Sequence, residues 1–131
     1  MSTVLQISDP HFGVERQKVV DALVALEQRL SPDLVIVSGD VTQRARASQF
    51  AAAQRFMQRL RAPATLAIPG NHDLPLFNVW ARLFAPYRNY QRVFGQSLEP
   101  VFESEDLLVV GLNSTRPYRH KHGELSDRQI D

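Results

Sequence analysis

The sequence predicts an α/β fold organised around a mostly parallel sheet, and two observations predict it. Three short apolar runs, Val4–Ser8, Leu34–Val37 and Thr65–Ile68, are separated by two longer stretches of helical periodicity. Each run also stops at a polar turn containing Gly or Pro: Asp9-Pro10-His11-Phe12-Gly13, Ser38-Gly39-Asp40, and Pro69-Gly70-Asn71-His72-Asp73. Strand, helix, strand, helix, strand is the order that right-handed crossovers turn into neighbouring parallel strands.

Val4–Ser8 opens the sheet. Pro10 has no N–H for a ladder and biases Asp9 away from helical geometry, so Asp9 and His11 fall on a loop. From Glu15 to Leu30, Val19, Val20, Leu23, Val24, Leu26 and Leu30 recur at helical spacing, with Arg16, Lys18, Asp21, Glu27 and Arg29 as the polar face. Ser31-Pro32-Asp33 ends this helix. The β-branched run Leu34–Val37 reads as a strand covered on both faces. A second helix over Ala47–Leu60 buries Phe50, Ala53, Phe56, Met57 and Leu60 and breaks at Pro63, before the strand Thr65–Ile68.

Beyond the third strand the pattern changes. Phe77, Trp80, Leu83 and Phe84 are spaced to line one face of a short helix ended by Pro86, packed on the core with its arginines reaching out to water. Tyr87, Tyr90 and Phe94 continue this aromatic segment, interleaved with Arg88 and Arg92. Val101–Glu103 and Leu107–Leu112 flank the polar link Ser104-Glu105-Asp106 and predict a hairpin. Residues 113–123 read as a solvated polar loop carrying His120 and His122. Ser126-Asp127-Arg128-Gln129 is a capping-box pattern that opens a further helix.

Composition narrows the chemistry. With 131 residues, 44% hydrophobic and 22% charged, the chain has the size and balance of one globular domain. A net charge of +1 supplies no general attraction to nucleic acid or anionic lipid. There is no cysteine, which removes disulfides and thiolate ligands from consideration. Any metal is therefore held by oxygen and imidazole, which suits Mn, Fe, Mg or Zn. No apolar stretch approaches the about 20 residues of a membrane span, and the N-terminus lacks a secretory pattern. The expectation is a cytoplasmic protein with no membrane partner.

The three strand ends carry the function. In a parallel sheet they share one edge, where open α/β folds place their binding crevices. Asp9, His11, Asp40, Asn71, His72 and Asp73 should therefore converge. Gathered carboxylates repel one another unless a cation compensates them, so a divalent metal is the economical explanation. Asp40, on the middle strand, is placed to bridge two ions at about 3.5–4 Å separation. Asn71 offers an amide oxygen, His72 an imidazole, and Asp73 a carboxylate able to fix the tautomer of that ring.

The set Asp9-x-His11, Gly39-Asp40 and Gly70-Asn71-His72-Asp73 resembles the first three motifs of the calcineurin-like metallophosphoesterases. Asp40-Val41-Thr42 and the spacing to Gly70 are similar to the bacterial branch resembling cyclic-nucleotide phosphodiesterases. The resemblance implies a layered α/β/β/α sandwich, of which residues 1–131 would be the N-terminal half, a single domain incomplete at its C-terminal end. It implies a metal-dependent phosphodiesterase with a dinuclear centre of Mn, Fe, Zn or similar divalent ions, acting through a metal-activated hydroxide on a small phosphoester or phosphodiester. Asp9 and His11 would bind one metal, Asp40 both, and Asn71 the second. His72 would serve the leaving-group oxygen, with Asp73 orienting its ring, and Asn71 and His72 would touch substrate. The family's later histidine and its Gly-His-x-His motif have no counterpart here. His120-Lys121-His122 lacks the preceding Gly, and a solvated role is expected for it. Without those later ligands the 131-residue chain alone is expected to be inactive or weak.

Two other functions fit part of the pattern. A DNA exonuclease of the same superfamily draws support from the aromatic and arginine segment Trp80–Phe94, against the near-neutral charge. A non-catalytic binding domain retaining the fold is the other, and the complete set Asp9, His11, Asp40, Asn71 and His72 argues against it.

Overall fold

Leu34, Val35 and Val37 are almost wholly removed from solvent because the strand that carries them, β2 (Leu34–Ser38), is flanked on both edges. The computed structural model describes residues 1–131. β1 (Val4–Ser8) and β3 (Ala64–Ile68) pair with β2 in parallel, in the order β1-β2-β3. The register runs from Val4↔Leu34↔Ala64 to Ser8↔Ser38↔Ile68, so all three strands finish level at one edge. The α/β class and parallel sheet expected from the sequence are what the structure contains.

The crossovers are α1 (Gln17–Leu30) and α2 (Ala47–Met57). α1 begins two residues later than its periodicity suggested. It ends at Ser31, whose left-handed conformation (φ 46°) turns its N–H back to the Glu27 carbonyl. α2 was expected to reach Leu60 but stops at Met57, because the last turn tightens: Arg59 and Leu60 donate to the carbonyls of Phe56 and Met57, three residues back.

One residue of α1 is not where periodicity put it. Glu27, expected on the polar face, is 0% exposed. Its Oε1 accepts the N–H groups of Arg61 and Ala62 at 2.9 and 2.8 Å, satisfying the backbone of the link from α2 to β3. Val19 and Leu30, expected inward, are exposed. The core is Ile7, Val24, Val35 and Val37 with Phe12, Phe50, Phe56 and Tyr90.

The aromatic segment forms two helices, α3 (Val79–Phe84) and α4 (Arg88–Phe94). α3 is inverted relative to expectation. Trp80 is 75% exposed, and Phe77, Leu83 and Phe84 are exposed as well, whereas Arg82 is only 7% exposed. The reason is polar: the Arg82 guanidinium donates to the carbonyls of Pro75, Pro117 and Arg119, which lie in irregular loops and have no regular partners. Trp80 and Phe84 stack on each other outside, ring centroids 5.5 Å apart. α4 does pack inward, setting Tyr90 against Phe50 and Phe94.

β4 (Val101–Glu103) and β5 (Leu108–Val110) form the expected antiparallel hairpin, with β5 shorter than the apolar run. Val101, Leu108 and Val110 are exposed on it. The capping box forms at α5 (Asp127–Ile130): Ser126 N–H donates to Gln129 Oε1 at 2.8 Å.

Candidate metal centre

Past the level strand ends, the loops leaving β1 and β2 run side by side. His11 and Phe12 donate to the carbonyls of Asp40 and Val41 at 3.0 and 2.8 Å, and Gln43 returns a bond to Phe12 at 3.0 Å. Phe12 and Val41 are buried beneath them. This pairing holds three residues in the left-handed region that disfavours side chains: Asp9 (φ 50°), His11 (φ 49°) and Asp40 (φ 39°). Each such residue costs on the order of 1–3 kcal/mol, and strain of this kind concentrates at functional sites. Here it turns the three side chains toward one another.

One ligating atom from each of Asp9, His11 and Asp40 lies within 4.8 Å of the other two. His11 Nε2 stands 3.8 Å from Asp40 Oδ2, and His11 Nδ1 is buried without a hydrogen-bond partner. Two carboxylates and an imidazole with an unpartnered nitrogen form a hard oxygen-and-nitrogen donor set, which fits a cation such as Mn, Fe or Zn. Asp40 Oδ1 is fixed from the other side by the His72 N–H at 3.0 Å. That approach depends on Gly70: a methyl group there would sit 2.8 Å from Asp40 Cγ, and closer still to its Oδ1 and N.

Asn71 and His72 follow Gly70 in a one-turn 3-10 helix, Asn71–Asp73. Asn71 Nδ2 donates to the His120 carbonyl at 3.2 Å. A carbonyl can only accept, so this contact assigns the amide nitrogen and leaves Oδ1 as the free acceptor. His72 Nδ1 lies 2.8 Å from the Gln43 carbonyl, so Nδ1 carries the proton and Nε2 is free. The His72 ring meets His11 edge-on, centroids 5.0 Å apart.

Asp73 is a correction. It was expected to orient His72, but the Gln43 carbonyl does that. Asp73 is buried, and its two oxygens accept the N–H groups of Val41, Thr42 and Gly70 together with the Thr42 hydroxyl. Burial pushes its pKa up from the usual carboxylate range, and the four hydrogen bonds pull it back. Its place is beneath the site as a clamp between two loops.

A cleft of about 300 Å³ opens beside the donor set, lined by Asp9, Asp40 and Asn71 but not by His11 or His72. Arg116, Arg119, Lys121 and His122 line it as well. The 113–123 segment, expected to be merely solvated, thus forms half of the cleft. His120 contributes its main-chain carbonyl, and neither His120 nor His122 joins Asp9, His11 and Asp40 in the donor cluster. The signal that could have revealed this contribution is its cation spacing, Arg116-x-x-Arg119-x-Lys121. Arg116 is partly committed, bonding the Asn113 and Thr115 carbonyls and Gln129, and Arg119 pairs with Glu124 at 2.9 Å. A second cleft of about 290 Å³ is lined by His72 itself, together with Gln43, Arg44, Phe77 and Lys121 among others.

The strand ends of the parallel sheet thus gather aspartate, histidine and asparagine side chains, and the sequence comparisons show which family has this order. The chain matches the calcineurin-like phosphoesterases over residues 2–129 and belongs to that family. Among curated relatives, it is 29% identical to a probable cyclic nucleotide phosphodiesterase of Synechococcus sp., over 98% of this chain and 50% of that protein. It is 38% identical to a glycerophosphodiester phosphodiesterase of Enterobacter lignolyticus, over 51% of this chain and 28% of that one. A probable cyclic nucleotide phosphodiesterase of Rhodococcus erythropolis is 26% identical, over 98% and 44% respectively. The chain spans about half the length of the first of these relatives. No helix in it is long and apolar enough to cross a membrane.

Proposed function

We propose that this chain carries the first half of the catalytic centre of a metal-dependent phosphodiesterase acting on small phosphodiesters in the cytoplasm. The observation that carries the reading is the set Asp9, His11 and Asp40, held together in left-handed backbone at the ends of adjacent parallel strands. Asp9 and His11 would hold one divalent cation, Asp40 would reach both, and Asn71 would meet the second through Oδ1. Divalent cations held there supply Lewis acidity toward water and phosphoryl oxygen.

The remaining work belongs to side chains of this chain. Lys121, which lines the same cleft as Asp9 and Asp40, would attract the phosphodiester anion and offset its charge. His72 keeps one proton on Nδ1 through the Gln43 carbonyl, so a second proton taken at Nε2 is the one it can deliver to a departing alkoxide. Asn71 keeps its acceptor oxygen toward the cleft. The relatives named for cyclic nucleotide and glycerophosphodiester hydrolysis support a small phosphodiester as substrate.

The test is an assay of the full gene product on bis-p-nitrophenyl phosphate and on single-stranded DNA, with and without Mn²⁺. Manganese-dependent turnover of the small diester is the expected result. Preference for DNA would turn the assignment to an exonuclease. Absence of both turnover and metal binding would leave a binding domain.

A further inference from the structure

We propose that Arg82 is a positioning residue for Asn71, acting through the 113–123 loop. The inference rests on the metal-site reading above and adds a residue that lies outside its motifs.

Arg82 is the buried residue of a helix whose apolar side chains face outward. No carboxylate accompanies it. All three of its hydrogen-bond acceptors are main-chain carbonyls: Nε to Pro117 at 2.5 Å, Nη1 to Pro75 at 3.1 Å, Nη2 to Arg119 at 2.8 Å. A guanidinium so placed fixes the path of a backbone rather than neutralising a charge. The backbone it fixes is the one that matters at the site, because the residue after Arg119 is His120, whose carbonyl receives the Asn71 amide.

The consequence is chemical. A side-chain amide can turn over and present either its oxygen or its NH₂ group to the cleft. Only the oxygen can bind a cation, and the His120 carbonyl decides the matter because it can accept only from NH₂. If the loop drifts, Asn71 loses that constraint and the donor group faces the metal part of the time. The partners of a metal ligand are worth about 10–100-fold in affinity. Lysine cannot substitute well, since one compact ammonium does not span three carbonyls arranged around a planar fork.

The experiment is a calorimetric Mn²⁺ titration of the metal-free full gene product, with no substrate present. Asn71→Ala identifies which binding step depends on Asn71. Arg82→Lys and Arg82→Met are expected to weaken that step about 10-fold or more and to leave the step held by Asp9 and His11 at its wild-type affinity. Asn71→Asp offers an oxygen in either orientation, so adding Arg82→Lys to it should bring no further loss at that step. Equal weakening of both steps, or none at either, would overturn the proposal and leave Arg82 as a fold residue only. Should the Arg82 variants not fold, amide exchange across residues 118–122 is measured in Asn71→Ala. Faster exchange supports the relay, and unchanged exchange overturns it. A wild-type protein showing both metal steps but no hydrolysis would refute the phosphodiesterase reading while leaving this one standing.

Discussion

Asp73 and Thr42 are joined twice: Asp73 Oδ1 accepts the Thr42 N–H at 2.7 Å and the Thr42 hydroxyl at 2.9 Å. Both residues are buried, and Asp73 Oδ2 adds the N–H groups of Val41 and Gly70 at 3.0 and 2.9 Å. One carboxylate thus ties the loop after β2, which carries Asp40, to the turn after β3, which carries Asn71 and His72. Its three N–H donors have no other protein acceptor, whereas the Thr42 hydroxyl also reaches the His72 carbonyl at 3.4 Å, and that dictates what its loss does.

Asp73→Ala should be severely destabilising, by about 3 kcal/mol or more, because buried N–H groups are left unsatisfied. Urea unfolding checks this. The isosteric Asp73→Asn should lie between, since an amide keeps one acceptor oxygen and turns a donor toward two of the N–H groups.

His72→Ala and Asp40→Ala should fail differently. In the proposed reading His72 serves the leaving oxygen, so its loss should slow an alkyl phosphodiester by about 10²-fold or more and a p-nitrophenyl ester much less, with metal content near normal. Asp40→Ala would remove a proposed ligand and should lower metal content and rate together. Loss of metal in His72→Ala, with equal slowing of both substrates, would make His72 a ligand instead.

Gly70→Ala tests the close approach of two loops. Its methyl group would overlap Asp40, so Asp40 must move by an ångström or so. The expected outcome is loss of metal affinity comparable to Asp40→Ala, in a protein that still shows a cooperative unfolding transition.

Tyr90 links burial to alkaline stability. Its hydroxyl is buried without a partner, and burial, with the nearby Asp73 charge, pushes the phenol far above its usual range. Above pH about 10 the unfolded chain releases this proton and the folded chain retains it. The folded state then binds more protons, so stability present below about pH 10 falls as the pH rises through that value. Tyr90→Phe should be neutral or stabilising at pH 7, having no buried hydroxyl to desolvate, and should lose less stability at pH 10.5 than the wild type. Thermal unfolding at the two pH values measures both.

The sequence by itself determined the sheet and the order of the donor residues. Val4–Ser8, Leu34–Val37 and Thr65–Ile68 are short apolar runs closed by Gly and Pro, and such signals are local: they depend on a residue and its immediate neighbours. Once parallel pairing is granted, Asp9, His11, Asp40 and Asn71 must share an edge. Tertiary structure decided which charged side chains turn inward. Glu27 looked like a solvent-facing residue, Arg82 like a surface cation, Asp73 like a partner for its neighbour His72, and residues 113–123 like a solvated loop. For Glu27, Asp73 and Arg82 the outcome was set by distant backbone groups lacking partners: the N–H groups of Arg61 and Ala62 for Glu27, those of Val41 and Thr42 for Asp73, the carbonyls of Pro75, Pro117 and Arg119 for Arg82. A buried backbone group must be satisfied by whatever donor or acceptor the fold brings to it. Which one that is depends on how far-apart loops meet, and no periodicity along the chain encodes it.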